Sequence, residues 1–124
     1  MQVTLLKSKL HRASVTAVSP DYSGSLSIDR DLMDAAGFLH HEKILVGNIT
    51  NGERFETYCI PAPSGSGEIA LNGAAAHKGK PGDLVVILSF VSLDPEEAAV
   101  WEPRLILVGN NNLSHELIPF SPTQ

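Results

Sequence analysis

From Lys9 to Val18 the chain alternates. His11, Ala13, Val15 and Ala17 fall on one side and Arg12, Ser14 and Thr16 on the other, which is the period of a half-buried strand. Lys9 has the parity of His11, so both are expected on the otherwise apolar face. Ser19-Pro20-Asp21 breaks this strand, Tyr22-Ser23-Gly24-Ser25 reads as a turn, and Leu26–Ile28 as a short strand. Asp29 is placed to cap a helix over Arg30–Ala36 that Gly37 ends. An apolar strand, Lys43–Ile49, is followed by Asn51-Gly52, a hairpin signal, and a return strand, Arg54–Ile60. After a loop at Pro61–Gly67 come a strand at Glu68–Leu71, a helical turn around Asn72–His77, and the most apolar strand, Leu84–Leu93. Asp94, with Pro95 and Glu97 behind it, opens a second helix running to about Trp101. Arg104–Val108 is a last strand, and the polar residues 109–124 are expected to form a mobile tail. Short strands at this spacing predict a mainly β chain with two short helices, folded as a small closed barrel.

The 124 residues suit a single domain, and 43% hydrophobic against 19% charged positions is ordinary globular composition. A net charge of −5 with scattered positives argues against nucleic-acid binding. An anionic ligand must therefore be held by local cations rather than by the overall field. Cys59 is the only cysteine, so no intrachain disulfide forms. No apolar run approaches the ~20 residues of a membrane span, and the apolar stretch Val3–Leu6 is too short for a signal peptide. The expectation is a soluble, cytoplasmic protein with no membrane partner.

Four groups of residues can carry chemistry. In Gly24-Ser25 the serine hydroxyl can attack the preceding carbonyl and turn the amide into an ester. Glycine and local backbone strain would help that step. Elimination and hydrolysis then leave a pyruvoyl group at a new N-terminus. The plain alternative is an inert turn. Lys9 and His11 can face an anionic ligand, or be a snorkelling lysine and a satisfied core histidine. Arg54 and Tyr58 share one side of the return strand, ~13 Å apart, and Thr57 faces the other. One site using all three needs a bulge or a subunit boundary. Asn72-Gly73-Ala74-Ala75-Ala76 lets a ligand approach the backbone, or serves as a tight turn. His40-His41 lacks further ligands at metal spacing, and no metal site is expected. Ser64-Gly65-Ser66-Gly67 lacks the lysine and frame of a phosphate loop. Cys59 reads as a small core residue.

Together these motifs resemble the pyruvoyl-dependent aspartate decarboxylases of bacteria. The resemblance spans about Leu6 to Pro103. It rests on Lys9-Leu10-His11-Arg12, Tyr22-Ser23-Gly24-Ser25, Thr50-Asn51-Gly52-Glu53-Arg54, Thr57-Tyr58, Asn72-Gly73-Ala74-Ala75-Ala76-His77 and Gly82-Asp83, in that order and spacing. It implies a double-psi β-barrel and a homotetramer with active sites between subunits. It also implies self-cleavage at Gly24-Ser25 into chains 1–24 and 25–124, with or without a maturation helper. Ser25 would become the pyruvoyl cofactor that condenses with the amine of L-aspartate, an electron sink like pyridoxal phosphate. Tyr58 matches the proton donor, and Thr57 and Gly73–Ala75 match substrate-binding positions. Lys9 and Arg54 match residues near the substrate carboxylates, while His11, Tyr22 and Asn72 match positions lining the site. The implied reaction yields β-alanine and CO2, supplying pantothenate and coenzyme A synthesis. The alternatives are a non-enzymatic barrel and a decarboxylase of the same chemistry acting on another amino acid, such as glutamate.

Overall fold

The computed structural model describes residues 1–119. In chain order it contains β1 (Val3–Ser14), β2 (Ala17–Ser19), β3 (Ser25–Asp29), α1 (Arg30–Ala36), β4 (Lys43–Asn48), β5 (Arg54–Ala62) and β6 (Ile69–Asn72). A 3-10 helix (Gly73–Lys78), β7 (Leu84–Leu93), α2 (Pro95–Ala99), β8 (Arg104–Gly109) and β9 (Ser114–Ile118) follow. Among the described residues no helix is long and apolar enough to cross a membrane.

The strands form one sheet in the order β2-β6-β3-β5-β4-β7-β1-β8-β9. Three of its pairs are parallel, β1 with β8, β2 with β6, and β3 with β5. Only Val15 and Thr16 separate β1 from β2, so the chain itself ties the β2 edge to a strand near the far end. Backbone bonds hold this crossing: Val15 N donates to Asp83 O at 2.9 Å, Gly82 N to Val15 O at 2.8 Å, and Thr16 N to Ile69 O at 2.8 Å. The buried side chains, among them Leu10, Leu26, Ile28, Ile44, Val46, Cys59, Ile69, Leu71, Val85 and Ile87, form one cluster.

β1 corrects the simple alternation. Arg12 has φ of 67°, and the register with β7 shifts between His11 and Ala13. A bulge of this kind adds one residue to one strand and reverses the parity beyond it. The buried set is therefore Ser8 and Leu10 before the bulge and Ala13 and Val15 after it. Lys9 and His11 lie on the opposite face from the core, level with Leu88 and Val86 of β7.

The helix caps follow the sequence. Asp29 caps α1 by accepting from Asp31 N at 2.8 Å, and Gly37 ends it in the left-handed region at φ of 73°. The second Asp29 oxygen accepts from Gly67 N at 2.8 Å, so the same carboxylate pins the Ser64–Gly67 loop to the end of β3. Asp94 accepts from Glu97 N at 2.9 Å, but α2 stops at Ala99, short of Trp101. Beyond Gly109, where the sequence predicts only a tail, Asn110, Asn111 and Asn112 turn in the left-handed region. β9 then pairs antiparallel with β8. Residues 120–124 of the expected tail lie outside the described residues.

Candidate active site

Ser25 opens β3 directly opposite Asn72 of β6. This pairing sets the Asn72 amide beside the Ser25 hydroxyl, with Nδ2 donating to Oγ at 3.1 Å. The same Nδ2 donates to Ser27 Oγ at 2.9 Å, two residues along β3 on the same face. Ser25 donates its own proton to Ser23 O at 3.4 Å. Ser25 is 1% exposed and Asn72 3%. A hydroxyl this buried, with its oxygen held by an amide donor, has its position fixed by the sheet rather than by a mobile turn.

Glycine matters at 73 more than at 24. Gly73 has φ of +65°, and a Cβ there would lie 2.6 Å from Gly24 Cα, 2.8 Å from Gly24 N and 3.0 Å from Tyr22 O. The bare backbone of residue 73 is thus packed against the Tyr22–Gly24 segment. Gly24 is not at positive φ, and a Cβ there would meet nothing within 4 Å. The freedom expected of glycine at 24 does not take the form of a positive φ; of the two residues, the left-handed conformation falls on Gly73.

A cleft of about 200 Å³ lies over this segment. Among the expected residues Gly24, Thr57, Asn72, Ala74 and Ala75 line it, and Phe55, Glu56 and Lys78 join them without having been singled out in the sequence. Its position follows from strand lengths. β5 pairs with β4 over Arg54–Tyr58, but its bonds to β3 start only at Cys59, opposite Leu26. The first half of β5 therefore presents a free edge to the 3-10 helix, and successive residues of both parities reach the cleft. Lys78 lies at the end of that helix, where its Nζ holds Glu53 at 3.0 Å.

Tyr58 points away from the Cys59 side of β5. One step back from the Leu26–Cys59 pair, it stands level with Ser25. It is 37% exposed, and its ring meets that of His41 edge-on at 5.6 Å between centroids. Arg54 shares its face and is exposed, as the strand parity requires. Lys9 and His11 are not brought to the cleft. They lie on β1, three strands beyond β5 in the sheet, and the register aligns His11, Val86, Gly47 and Arg54 in one row. Tyr22 is exposed on the turn before the Gly24-Ser25 bond.

Burial, followed by the nearby charges of Lys9 and Arg12, lowers the pKa of His11 below 6.5. Among the described residues its Nδ1 is buried without a hydrogen-bond partner. The Cys59 thiol is pushed up to about 11, chiefly by burial, which keeps it protonated and unreactive at neutral pH. Among the described residues no three His, Cys, Asp or Glu side chains gather as a metal site.

Comparison with known proteins adds an independent line. The family model described as aspartate decarboxylase matches residues 1–115. The aspartate 1-decarboxylase of Thioalkalivibrio sulfidiphilus is 54% identical over 112 residues, covering 90% of this chain and 89% of that protein. That of Shouchella clausii is 48% identical over 122 residues, 98% of this chain and 96% of the relative. That of Neisseria meningitidis serogroup C is 47% identical over 119 residues, 96% and 94% of the two chains. Matched over nearly its whole length by this family model and by relatives of similar size, the chain belongs to the aspartate decarboxylase family.

Proposed function

We propose that this protein decarboxylates L-aspartate to β-alanine and CO2 with a pyruvoyl group made from its own Ser25. The observation that carries the reading is the buried Ser25 hydroxyl, held by Asn72 beneath a cleft lined by Gly24, Thr57, Ala74 and Ala75. The residues fit the group: Gly24 lines the cleft beside the buried Ser25 hydroxyl, and the side-chain-free Gly73 backs the segment to be cut. The reading has the chain cut between Gly24 and Ser25 into chains 1–24 and 25–124.

The pyruvoyl group supplies an electrophilic carbonyl and an electron sink for the departing carboxylate's bonding pair. The chain's own residues do the rest. Thr57 and the backbone of Gly73–Ala75 hold the substrate, since small side chains let it approach the amides. Arg54 and Lys9 take its carboxylates, for which the guanidinium fork is suited. Tyr58, level with Ser25, delivers the proton to the carbon that lost CO2. Asn72, His11 and Tyr22 line the site.

Lys9 and His11 stand on β1, four strands along the sheet from Ser25. We therefore assign the working site to the boundary between subunits of a homotetramer. The partly buried apolar Leu45, Val86 and Leu88, which share their face, support this. The covalent link between β1 and β2 supports closure of the sheet as a double-psi barrel, with Gly82-Asp83 at the turn beside it. A cytoplasmic setting, where β-alanine feeds pantothenate synthesis, suits the single free, buried Cys59. The test is mass spectrometry of denatured, matured protein. It should show fragments 1–24 and 25–124, the larger reacting with carbonyl reagents, in a preparation that releases β-alanine. An active preparation containing only the intact chain overturns the reading.

A further inference from the structure

We infer that Ser27 is a positioning residue for self-cleavage, aiming the Asn72 amide at the Ser25 oxygen; this rests on the pyruvoyl reading of Ser25. Asn72 Nδ2 donates to Ser25 Oγ at 3.1 Å, which leaves the Ser25 proton directed toward Ser23 O, 3.4 Å away. An amide nitrogen carries two protons. The second goes to Ser27 Oγ at 2.9 Å, the shorter of the two bonds. Ser27 is 7% exposed and stands opposite Ala70, whose small side chain leaves the space through which Asn72 reaches it. With one proton anchored on Ser27, the other is held on Ser25 Oγ without swinging.

The chemistry says which step this helps. First, Oγ bonds to the Gly24 carbonyl carbon, the C–N bond breaks, and the hydroxyl proton passes to the released amine, giving an ester. Next, the α-proton of residue 25 passes to a water molecule and the Cβ–Oγ bond breaks. Its electron pair leaves on Oγ as the carboxylate of Gly24, and dehydroalanine remains. One water then displaces ammonia to give the pyruvoyl group. A donor on Oγ weakens the hydroxyl as a nucleophile, so it offers little to the first step. In the second, Oγ gains negative charge, and a preset N–H stabilises it.

Ser27→Ala should therefore slow elimination about three- to tenfold, the effect of one weakened hydrogen bond. The ester should accumulate. Neutral hydroxylamine would trap it as fragments 1–24 and 25–124, the latter with an N-terminal serine. Ser27→Thr, which keeps the hydroxyl, should restore the rate, and thermal unfolding identifies any loss of packing. A wild-type maturation rate in Ser27→Ala, or a slowdown that threonine does not rescue and no ester accompanies, overturns the inference. If the unsubstituted chain itself never cuts, the pyruvoyl reading fails instead.

Discussion

Tyr58 and Thr57 are neighbours in sequence with opposite directions, and the proposed site draws on both because β3 begins only at Ser25. Thr57 reaches the cleft from the free edge of β5, whereas Tyr58 stands level with Ser25 on the other side. Tyr58→Phe keeps the ring and deletes only the hydroxyl. The variant should mature normally by intact mass, while β-alanine release falls roughly 10²–10⁴-fold, the usual worth of a positioned general acid. Normal turnover in fully processed Tyr58→Phe would assign the proton elsewhere. His11 makes a second point at this scale. Burial first, then Lys9 and Arg12, lowers its pKa, so folding favours the neutral ring. Between the lowered value and 6.5 the unfolded chain binds more protons than the folded one. Stability contributed by this group is present above 6.5 and declines as pH falls through that window. A histidine NMR titration should place the His11 midpoint below 6.5, and Lys9→Met should raise it. A midpoint at or above 6.5 would contradict the burial argument.

At the scale of elements, strong local signals were legible and tertiary ones were not. Asp29, Gly37, Asp94 and Pro95 mark helix ends by local chemistry, and the helices start where they indicate. Leu84–Leu93 is a strand over its full expected length because its apolar residues are rich in β-branched Val and Ile and Pro81-Gly82 sets its start. The bulge at Arg12 was illegible: nothing in its side chain announces a positive φ, so Lys9 and His11 were assigned the face of Ala13 and Val15. β9 was missed because its residues are mostly exposed and show no apolar alternation. The signal that could have found it is the Asn110–Asn112 run, since asparagine tolerates the left-handed region. Lys78 and Glu56 were missed at the site because only the free edge of β5 and the end of the 3-10 helix bring them to the cleft. Asn112 also staples the C-terminal hairpin to the body. Its Oδ1 accepts from Ser14 N, and its Nδ2 donates to Ser14 O and Gly67 O, each at 2.8 Å. Asn112→Ala leaves buried backbone groups unpaired and should cost roughly 2–4 kcal/mol. Denaturant unfolding of uncut protein, carrying Ser25→Ala to hold maturation constant, measures this. A loss under about 0.5 kcal/mol, the range of ordinary surface substitutions, would show the staple to be dispensable.

The residues proposed for the site fall in two groups on separate parts of the sheet. Ser25, Asn72, Thr57 and Tyr58 gather around the start of β3. Lys9 lies on β1, four strands away through β5, β4 and β7, or ~19 Å along the sheet at ~4.8 Å per strand. On the proposed reading the Lys9 that meets a substrate attached at residue 25 comes from a second subunit, which gives a test that needs no view of the assembly. Ser25→Ala lacks the reactive carbonyl. Lys9→Glu places an anion where the substrate carboxylate should dock, and it should still mature into fragments 1–24 and 25–124. Each variant alone should release little β-alanine. Co-expressed in equal amounts, they assemble at random. About one site in four then takes Ser25 from a Lys9→Glu chain and Lys9 from a Ser25→Ala chain, and that site is intact. Activity per chain should recover toward a quarter of the unsubstituted value, but not when the two variants are purified separately and mixed without subunit exchange. If Lys9 served the Ser25 of its own chain, every site in the mixture would carry one lesion. No recovery from fully matured, verified hybrids would place both residues in one subunit and reject the shared site.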